Sequence, residues 1–157
     1  AANKGLLSKQ GNFYTQVIEA IAGNKNLVVV DGLLTTGDGT FFKENDFDNL
    51  VILGGSGVTS VGMIRGFVDL HNFPMKKKVY VISSSTIHSV IHKLKQWDTY
   101  FPNNIIVTDT PYDFYDEMDF YETPFPCNVN WDKKAWWWLD NNINKLNGKT
   151  LFWNIGA

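Results

Sequence analysis

The sequence predicts an α/β fold, a three-layer Rossmann-like domain with a mainly parallel five-stranded sheet. Short apolar runs bounded by Gly, Asn or Lys alternate with longer stretches of helical pattern, and a glycine cluster stands where one apolar run meets a helix. Continuous apolar runs are typical of strands that helices cover on both faces. At 157 residues, with 44% hydrophobic and 19% charged residues, the chain is the size of one domain with a sizeable core.

The strands are predicted from their apolar runs and the helices from the stretches between them. The strand segments are 27–30, 50–53, 79–82, 105–108 and 150–155, with 50–53 near the centre of the sheet. The helical segments are 13–22, 58–71, 86–98 and 131–146, the third with an N-cap near Ser85. Alternation from residue 50 onward implies right-handed crossovers, and ligands of such sheets bind at the carboxyl ends of the strands. Residues 109–126 have no clean period and are predicted to be a long surface excursion.

Composition and charge exclude several classes of function. The formal net charge is −2 and the only basic run is Lys76 to Lys78, so no nucleic-acid partner is expected. The single cysteine, Cys127, excludes an internal disulfide and a cysteine-only zinc site. No apolar run approaches the roughly 20 residues that cross a bilayer. The start without Met indicates a piece excised from a longer chain.

The most informative stretch is the glycine turn, the segment Leu53-Gly54-Gly55-Ser56-Gly57-Val58-Thr59-Ser60 between a strand and a helix. Glycine lets a phosphate approach the backbone, and the start of a helix offers unpaired N–H groups. The turn therefore suits a pyrophosphate. As a Gly-x-Gly-x-x-Gly fingerprint it is incomplete, because Ser60 stands at the third glycine. The alternative is a tight strand–helix turn that binds no ligand.

Several short motifs follow one another in a characteristic order. They are Val29-Val30-Asp31-Gly32 with Thr35-Thr36-Gly37, Gly54 to Thr59, Val79 to Ser85, Asn130-Trp131-Asp132, and Leu151 to Ala157. In this order they resemble the NAD(P)H-binding domain of ferric reductases and NADPH oxidases, within the ferredoxin-NADP reductase-like superfamily. The chain departs from that family where Ile155-Gly156-Ala157 replaces Cys-Gly-Pro and where Ser60 replaces a Pro.

The resemblance implies a role for each matching residue. Pyrophosphate binding falls to Gly54, Gly55, Ser56, Gly57 and Val58. Thr59 and Gly156 would lie near the nicotinamide, with Ile155 beside them. Ser83, Ser84 and Ser85 would face the adenosine ribose, with Lys93 or Lys95 contributing charge. No residue is assigned to the chemical step with certainty, and no metal is expected.

The resemblance also implies the function of the parent protein. The chain would be the NAD(P)H-binding dehydrogenase domain of a membrane flavocytochrome, on the cytoplasmic side of the membrane. It would bind NADPH or NADH and position the nicotinamide for hydride transfer to FAD, with electrons passing to haem and then to oxygen or ferric iron. FAD and haem would be held by other domains, so the isolated chain would be inactive. Residues 1–26 would be a connector and helix trailing from the flavin domain, and residues 27–157 the NAD(P)H-binding domain.

Two other functions remain open at this stage. The family's Cys and Pro residues are replaced in this chain. These replacements are compatible with a degenerate nucleotide-binding fold that acts as a regulatory or interaction module. A glycine turn in an α/β sheet also binds diphosphates in general, so a sugar-nucleotide transferase is a further alternative.

Three rival groupings have simpler interpretations. His88 and His92 are four residues apart on a predicted helix, but Ser89 stands where a zinc protease needs Glu, so two ordinary surface histidines are expected. A group of acids lacks the pattern of a calcium loop and is predicted to be a solvated acidic loop. These acids are Asp113, Asp116, Glu117, Asp119 and Glu122. Among Trp136, Trp137 and Trp138, one is expected to be exposed, because neighbours on a helix differ by about 100°.

Overall fold

Five parallel strands form the central sheet in a computed structural model that describes residues 27–31, 47–55, 57–58, 60–64 and 77–154. The strands are β1 (Leu27–Asp31), β2 (Asn49–Leu53), β3 (Lys78–Ser83), β4 (Ile105–Asp109) and β5 (Thr150–Asn154). Their order across the sheet is β1-β5-β2-β3-β4, and every neighbouring pair is parallel. The predicted α/β fold with a parallel sheet is confirmed, and β2 occupies the centre as expected.

The helices follow the predicted alternation. Residues 58 and 60–64 are helical after β2, α1 spans Ile87–Gln96 between β3 and β4, and α2 spans Asp132–Asn142 before β5. A 3-10 turn, Ile143–Lys145, extends α2. The N-cap of α1 is Thr86, one residue after the predicted position. The predicted helix 13–22 lies outside the described residues.

One face of the sheet is covered by the helical segment after β2 and by α1. Val61 and Ile64 from the first, and Val90 and Leu94 from the second, pack on the strands. The strand residues beneath them include Leu50, Ile52, Val79, Val81, Ile105 and Leu151. Because side chains alternate along a strand, these positions are two residues apart in β2 and β3 and share a face.

The opposite face is covered by α2. Ala135, Trp136 and Leu139 pack there on the strands. The strand residues beneath them are Leu27, Val29, Val51, Ile82 and Phe152. Helices therefore lie on both faces, which gives the predicted three layers. None of the described helices is long and apolar enough to cross a lipid bilayer.

The tryptophan run differs from its prediction. Trp136 is buried, and Trp137 and Trp138 are both half-buried, so the expectation that one of the three is exposed is wrong. Trp138 contacts Tyr80 of β3, with ring centroids 5.2 Å apart, and Trp137 meets Tyr112 edge-on at the same distance. Tyr112 belongs to the stretch between β4 and α2, which folds back over the helix and covers a side chain that helical geometry alone would leave in solvent.

Phe152 lies at the centre of the α2 face and generates a stability prediction. Its ring is fully buried between Trp136, with centroids 5.4 Å apart, and Phe125, at 6.0 Å. We expect Phe152→Ala to lower the free energy of unfolding by about 3–5 kcal/mol, because the lost contacts leave a cavity that the sheet cannot close. Urea denaturation measures the change. Tyr115→Ala, at a side chain 87% exposed, is the control and should stay within about 0.5 kcal/mol of wild type.

Candidate functional site

The glycine turn lies at the carboxyl edge of the sheet, beside the point where the chain reverses its direction of winding. The connection that leaves β2 crosses the face covered by α1, whereas α2, which leads into β5, covers the other face. β2 and β5 are neighbours in the sheet. Open parallel sheets bind their ligands at such a reversal.

Among the three described glycines of the turn, Gly54 is required by packing and Gly57 by its backbone conformation. A Cβ on Gly54 would lie 2.2 Å from Val81 Cγ1, so this glycine lets the turn sit directly on β3. Gly57 has φ +93°, and a Cβ there would lie 3.4 Å from the Cβ of Lys93 on α1. Gly55 differs, because a Cβ there would meet only the ring of Phe114, at 3.8 Å. The open side of Gly55 faces a cleft.

Ser60 is a buried hydroxyl beneath the turn. Its side chain has no exposed surface, and its Oγ has no hydrogen-bond partner among the described residues. The Oγ lies 3.6 Å from the position that a Cβ of Gly54 would occupy. A buried hydroxyl without a partner costs stability, so such a group calls for an explanation, for example a functional role or a bound water or ion.

The serines after β3 form an internal hydrogen-bond network. The Ser83 hydroxyl shares a hydrogen bond with Thr86 Oγ1 at 2.5 Å, and the Ser84 hydroxyl shares one with Thr110 Oγ1 at 2.9 Å. Both serines are buried. Ser85 is exposed, has φ 64°, and donates its hydroxyl to Asp113. Contact of these serines with an adenosine ribose stays a prediction, and Ser85 is the one that solvent reaches.

Thr86 connects this network to the glycine turn. Its hydroxyl donates to the carbonyl of Gly54 at 3.4 Å, and its amide donates to Ser83 Oγ at 3.1 Å. The Gly54 amide in turn donates to the carbonyl of Ile82 at 2.8 Å. The structure thus joins the two predicted binding segments, the turn after β2 and the serines after β3, at one edge of the sheet.

A cleft of about 610 Å³ opens beside Gly55. Its described lining consists of Gly55, Thr86, His88, Ser89, His92, Lys93 and Phe114. This lining holds imidazole, ammonium and hydroxyl groups and no carboxylate. We name it the α1 cleft, since four of its seven described lining residues come from α1. Its chemistry favours an anionic ligand.

Phe114 reaches the α1 cleft because a buried lysine holds its backbone. Lys134 on α2 is 1% exposed, and its Nζ donates to the carbonyl of Phe114 at 2.7 Å. Burial lowers the pKa of Lys134, while the charges of Asp116 and Asp113 act in the opposite direction. The amino-acid sequence does not indicate this anchor, because a lysine in the first turn of a helix is ordinarily a surface residue.

Aromatic rings surround Phe114 at the mouth of the cleft. Trp131 lies 5.0 Å from it between ring centroids, and Tyr115 meets it edge-on at 5.1 Å. Tyr115 is 87% exposed and Trp131 is 40% exposed. Trp131 is positioned at the start of α2 by Asn128, whose Oδ1 accepts the Trp131 amide at 3.1 Å. Exposed aromatic surface therefore adjoins the basic cleft.

The rival groupings behave largely as the sequence predicts. His88 and His92 are exposed on α1, as expected of surface histidines. The five predicted loop acids are all exposed, as expected of a solvated loop. The hydrogen bond from Ser85 lowers the pKa of Asp113. Burial raises the pKa of the Cys127 thiol, which is typical of a structural cysteine.

The remaining predicted site residues are placed only in part. Val58 is 63% exposed at the start of the helical segment. Ser56, Thr59, Ile155 and Gly156 lie outside the described residues. Their expected contacts with pyrophosphate and nicotinamide stay predictions.

Fold and geometry together define an α/β domain with a candidate anion site at the carboxyl edge of a parallel sheet. No protein-family model matches the chain. A protein of Pseudomonas phage M6, named glycyl-dTMP PLP-dependent decarboxylase, is 33% identical to it over 118 residues. The match covers 71% of this chain and 42% of that protein, so the chain spans less than half of the relative's length. A continuous stretch of that size includes the middle of the chain and hence β2, the glycine turn and α1.

The two neighbouring glycines generate a prediction about stability. Gly54→Ala forces a methyl group into Val81, so we expect it to lower the free energy of unfolding by about 1–3 kcal/mol. Gly55→Ala places its methyl group in ordinary contact with Phe114, and we expect its stability to stay within about 0.5 kcal/mol of wild type. Urea denaturation of both variants checks the contrast. Equal losses would mean that the turn does not sit on β3 as described.

Two adjacent lysines generate a prediction about the loop between β4 and α2. Lys134 holds the carbonyl of Phe114, whereas Lys133 donates to the carbonyl of Tyr121 at 2.8 Å. We expect Lys134→Met to raise amide exchange around residues 113–116 and Lys133→Met to raise it around 118–121, because each variant frees a different anchor. Hydrogen–deuterium exchange with peptide mass spectrometry measures both. The same exchange pattern in the two variants would contradict separate anchoring.

Proposed function

We propose that the chain supplies the phosphate-binding part of a pyridoxal 5′-phosphate (PLP) enzyme that decarboxylates an amino acid. The single observation that carries the proposal is Ser60, a fully buried hydroxyl without a described partner beneath the glycine turn. A phosphate seated on the turn would give that hydroxyl an acceptor. The name of the phage relative, a PLP-dependent decarboxylase, selects PLP among the ligands that carry a phosphate.

The residues present fit the phosphate of PLP. A phosphate needs backbone amides, hydroxyl donors and a positive charge nearby, and it is repelled by carboxylates. Gly55 and Lys93 both line the α1 cleft, and the open side of Gly55 permits close approach of a ligand. Ser60 offers a hydroxyl beneath the turn, outside the described lining of the cleft. Asp109 accepts the amides of Ser85 and Thr110, at 3.0 and 2.8 Å.

The residues of the chain would bind and enclose the cofactor, and the cofactor would carry the chemistry. Bound PLP acts as an electron sink for the carbanion that forms when an amino acid loses carbon dioxide. Gly55 and Ser60 would fix the phosphate end. Phe114, held by Lys134, would form one wall and limit the access of water. The orientation of the cofactor would follow from these contacts with the phosphate, since the turn itself is fixed on β3 by Gly54.

The NAD(P)H-binding interpretation is kept as the second candidate. The observation in its favour is that a parallel sheet carries the glycine turn at the edge where a dinucleotide pyrophosphate would bind. The buried hydroxyls of Ser83 and Ser84 already have partners inside the protein, so they favour it less. Neither comparison bears on a flavocytochrome parent with FAD and haem, which stays a prediction, as do a regulatory module and a sugar-nucleotide transferase.

Ser60→Ala tests the proposal. We expect the variant to bind PLP at least about tenfold more weakly, because a hydrogen bond to a charged group contributes about 1.5–3 kcal/mol and 1.4 kcal/mol is a factor of ten. Its stability without ligand should be unchanged or slightly higher, since an unpaired buried hydroxyl is removed. Isothermal titration calorimetry with PLP, pyridoxal and NADPH gives the affinities, and urea denaturation gives the stabilities.

The control for this experiment is Gly62→Ala. A Cβ there meets nothing within 4 Å on an exposed part of the same helical segment, so PLP affinity should equal that of wild type. Pyridoxal, which lacks the phosphate, should bind much more weakly than PLP. Equal PLP affinity in wild type and Ser60→Ala, or tighter binding of NADPH than of PLP, would contradict the proposal.

A further inference from the structure

We propose that the outer side of α2, together with the excursion that precedes it, is a docking surface for an arginine-bearing segment of a partner protein. A pocket of about 360 Å³ between these two elements takes one guanidinium group of that segment. Its described lining consists of Glu122, Thr123, Pro124, Trp136 and Asp140, and we name it the α2 pocket. Because α2 and α1 cover opposite faces of the sheet, this surface is separate from the α1 cleft and from the function proposed for that cleft.

The α2 pocket has the charge that a guanidinium group requires. Its described lining holds two carboxylates, those of Glu122 and Asp140, and no basic side chain. Residues 110–131 contain five acidic residues and no lysine, arginine or histidine. Lys133, the first basic residue after them, donates its Nζ to the carbonyls of Tyr121 and Met118, at 2.8 and 3.4 Å. A cation from outside the chain therefore meets an acidic surface whose neighbouring lysine is held by backbone carbonyls.

The walls of the α2 pocket are fixed by contacts within the protein. The hydroxyl of Tyr121 donates to Oδ2 of Asp140, which orients that carboxylate. Burial, together with the hydrogen bond to Asp140, raises the pKa of Tyr121, so the hydroxyl keeps its proton. Trp136 is 2% exposed and packs edge-on against Phe125, with ring centroids 4.8 Å apart. A pocket that is ordered before binding loses little conformational entropy when its ligand enters.

Aromatic rings continue the surface beyond the α2 pocket. Trp137 precedes Asp140 by three residues, so the two are neighbours on the surface of α2. Tyr112 meets Trp137 edge-on, and Phe120 lies 5.8 Å from Tyr112 between ring centroids. The Phe120 side chain is 65% exposed. Arginine stacks on aromatic faces and forms paired hydrogen bonds with carboxylates, so it matches both parts of this surface better than lysine does.

The extent of the surface favours a protein segment over a small free cation. Phe120 is not among the described lining residues of the pocket, so a cation that only fills the pocket leaves this ring exposed. A peptide that places one guanidinium in the pocket covers the rings with its neighbouring side chains. The excursion is also held in place before binding, because Lys133 and Lys134 anchor its carbonyls to α2. Rigid aromatic side chains and arginine are both enriched where proteins bind one another.

The test is calorimetric titration with an acetylated tetra-arginine peptide and with the same peptide made of citrulline. Citrulline keeps the shape of arginine and lacks its charge, so we expect the arginine peptide to bind at least about tenfold tighter. Glu122→Gln and Asp140→Asn should each weaken binding of the arginine peptide about two- to fivefold, as the loss of a partly exposed ion pair does. Phe120→Ala should weaken it by a similar factor of about two to five, through the loss of a cation–π contact.

The matched control is Asp98→Asn. It removes the same charge at an exposed residue that follows α1, on the other side of the sheet, and asparagine tolerates the positive φ of 53° found there. Its affinity for the arginine peptide should equal that of wild type. A loss as large as that of Asp140→Asn would mean that the peptide responds only to net charge, and would overturn the proposal. Equal affinities for the arginine and citrulline peptides, or arginine amide binding as tightly as the peptide, would overturn it as well.

Discussion

The close approach of Gly54 to Val81 is the constraint on which the candidate site depends. With no side chain at residue 54, the end of β2 lies directly on β3, and the Gly54 amide continues the strand pairing by donating to Ile82. This contact brings the turn within hydrogen-bonding distance of Thr86, at the start of α1. A larger residue would separate the turn from the helix, and the cleft between them would lose one of its walls.

The described charges of the site are segregated by sign. Basic side chains line the α1 cleft, while the acids of the excursion between β4 and α2 are exposed and are not among its described lining residues. Asp113 accepts hydrogen bonds from Ser85 and from the Phe114 amide, and Lys134 adds a favourable charge, so its pKa is lowered. Carboxylates held in this way stay ionised and stay out of the cleft, which preserves its attraction for anions.

The excursion between β4 and α2 is ordered by the helix that follows it. Lys133 and Lys134 reach back from α2 to carbonyl groups of the loop, and Tyr112 packs on Trp137. Because Lys134 is buried against its acceptor, removing its charge or its length would leave a carbonyl group unpaired. The position of Phe114, and with it one wall of the cleft, is therefore set by tertiary contacts from a different element.

The sequence by itself determined the layers and the location of the turn. The apolar runs of β2 and β3 are short and bounded by polar residues. Such runs are typical of parallel strands that helices cover on both faces, so the sequence alone indicates a sheet between two helical layers. The glycine cluster marked the end of β2 at the carboxyl edge of the sheet, because glycine is needed where a backbone passes as close to another strand as Gly54 does to β3.

Only the tertiary structure decided which side chains surround the turn. Phe114 comes from a segment without periodicity, and its anchor Lys134 has the sequence appearance of a surface residue. One of Trp136, Trp137 and Trp138 was expected in solvent, because helical geometry specifies the face on which a residue lies. It does not specify which distant loop will cover that face, as Tyr112 covers Trp137. Ser60 was noted in the sequence as a departure from a family motif, and only its burial without a described partner gave it a chemical meaning.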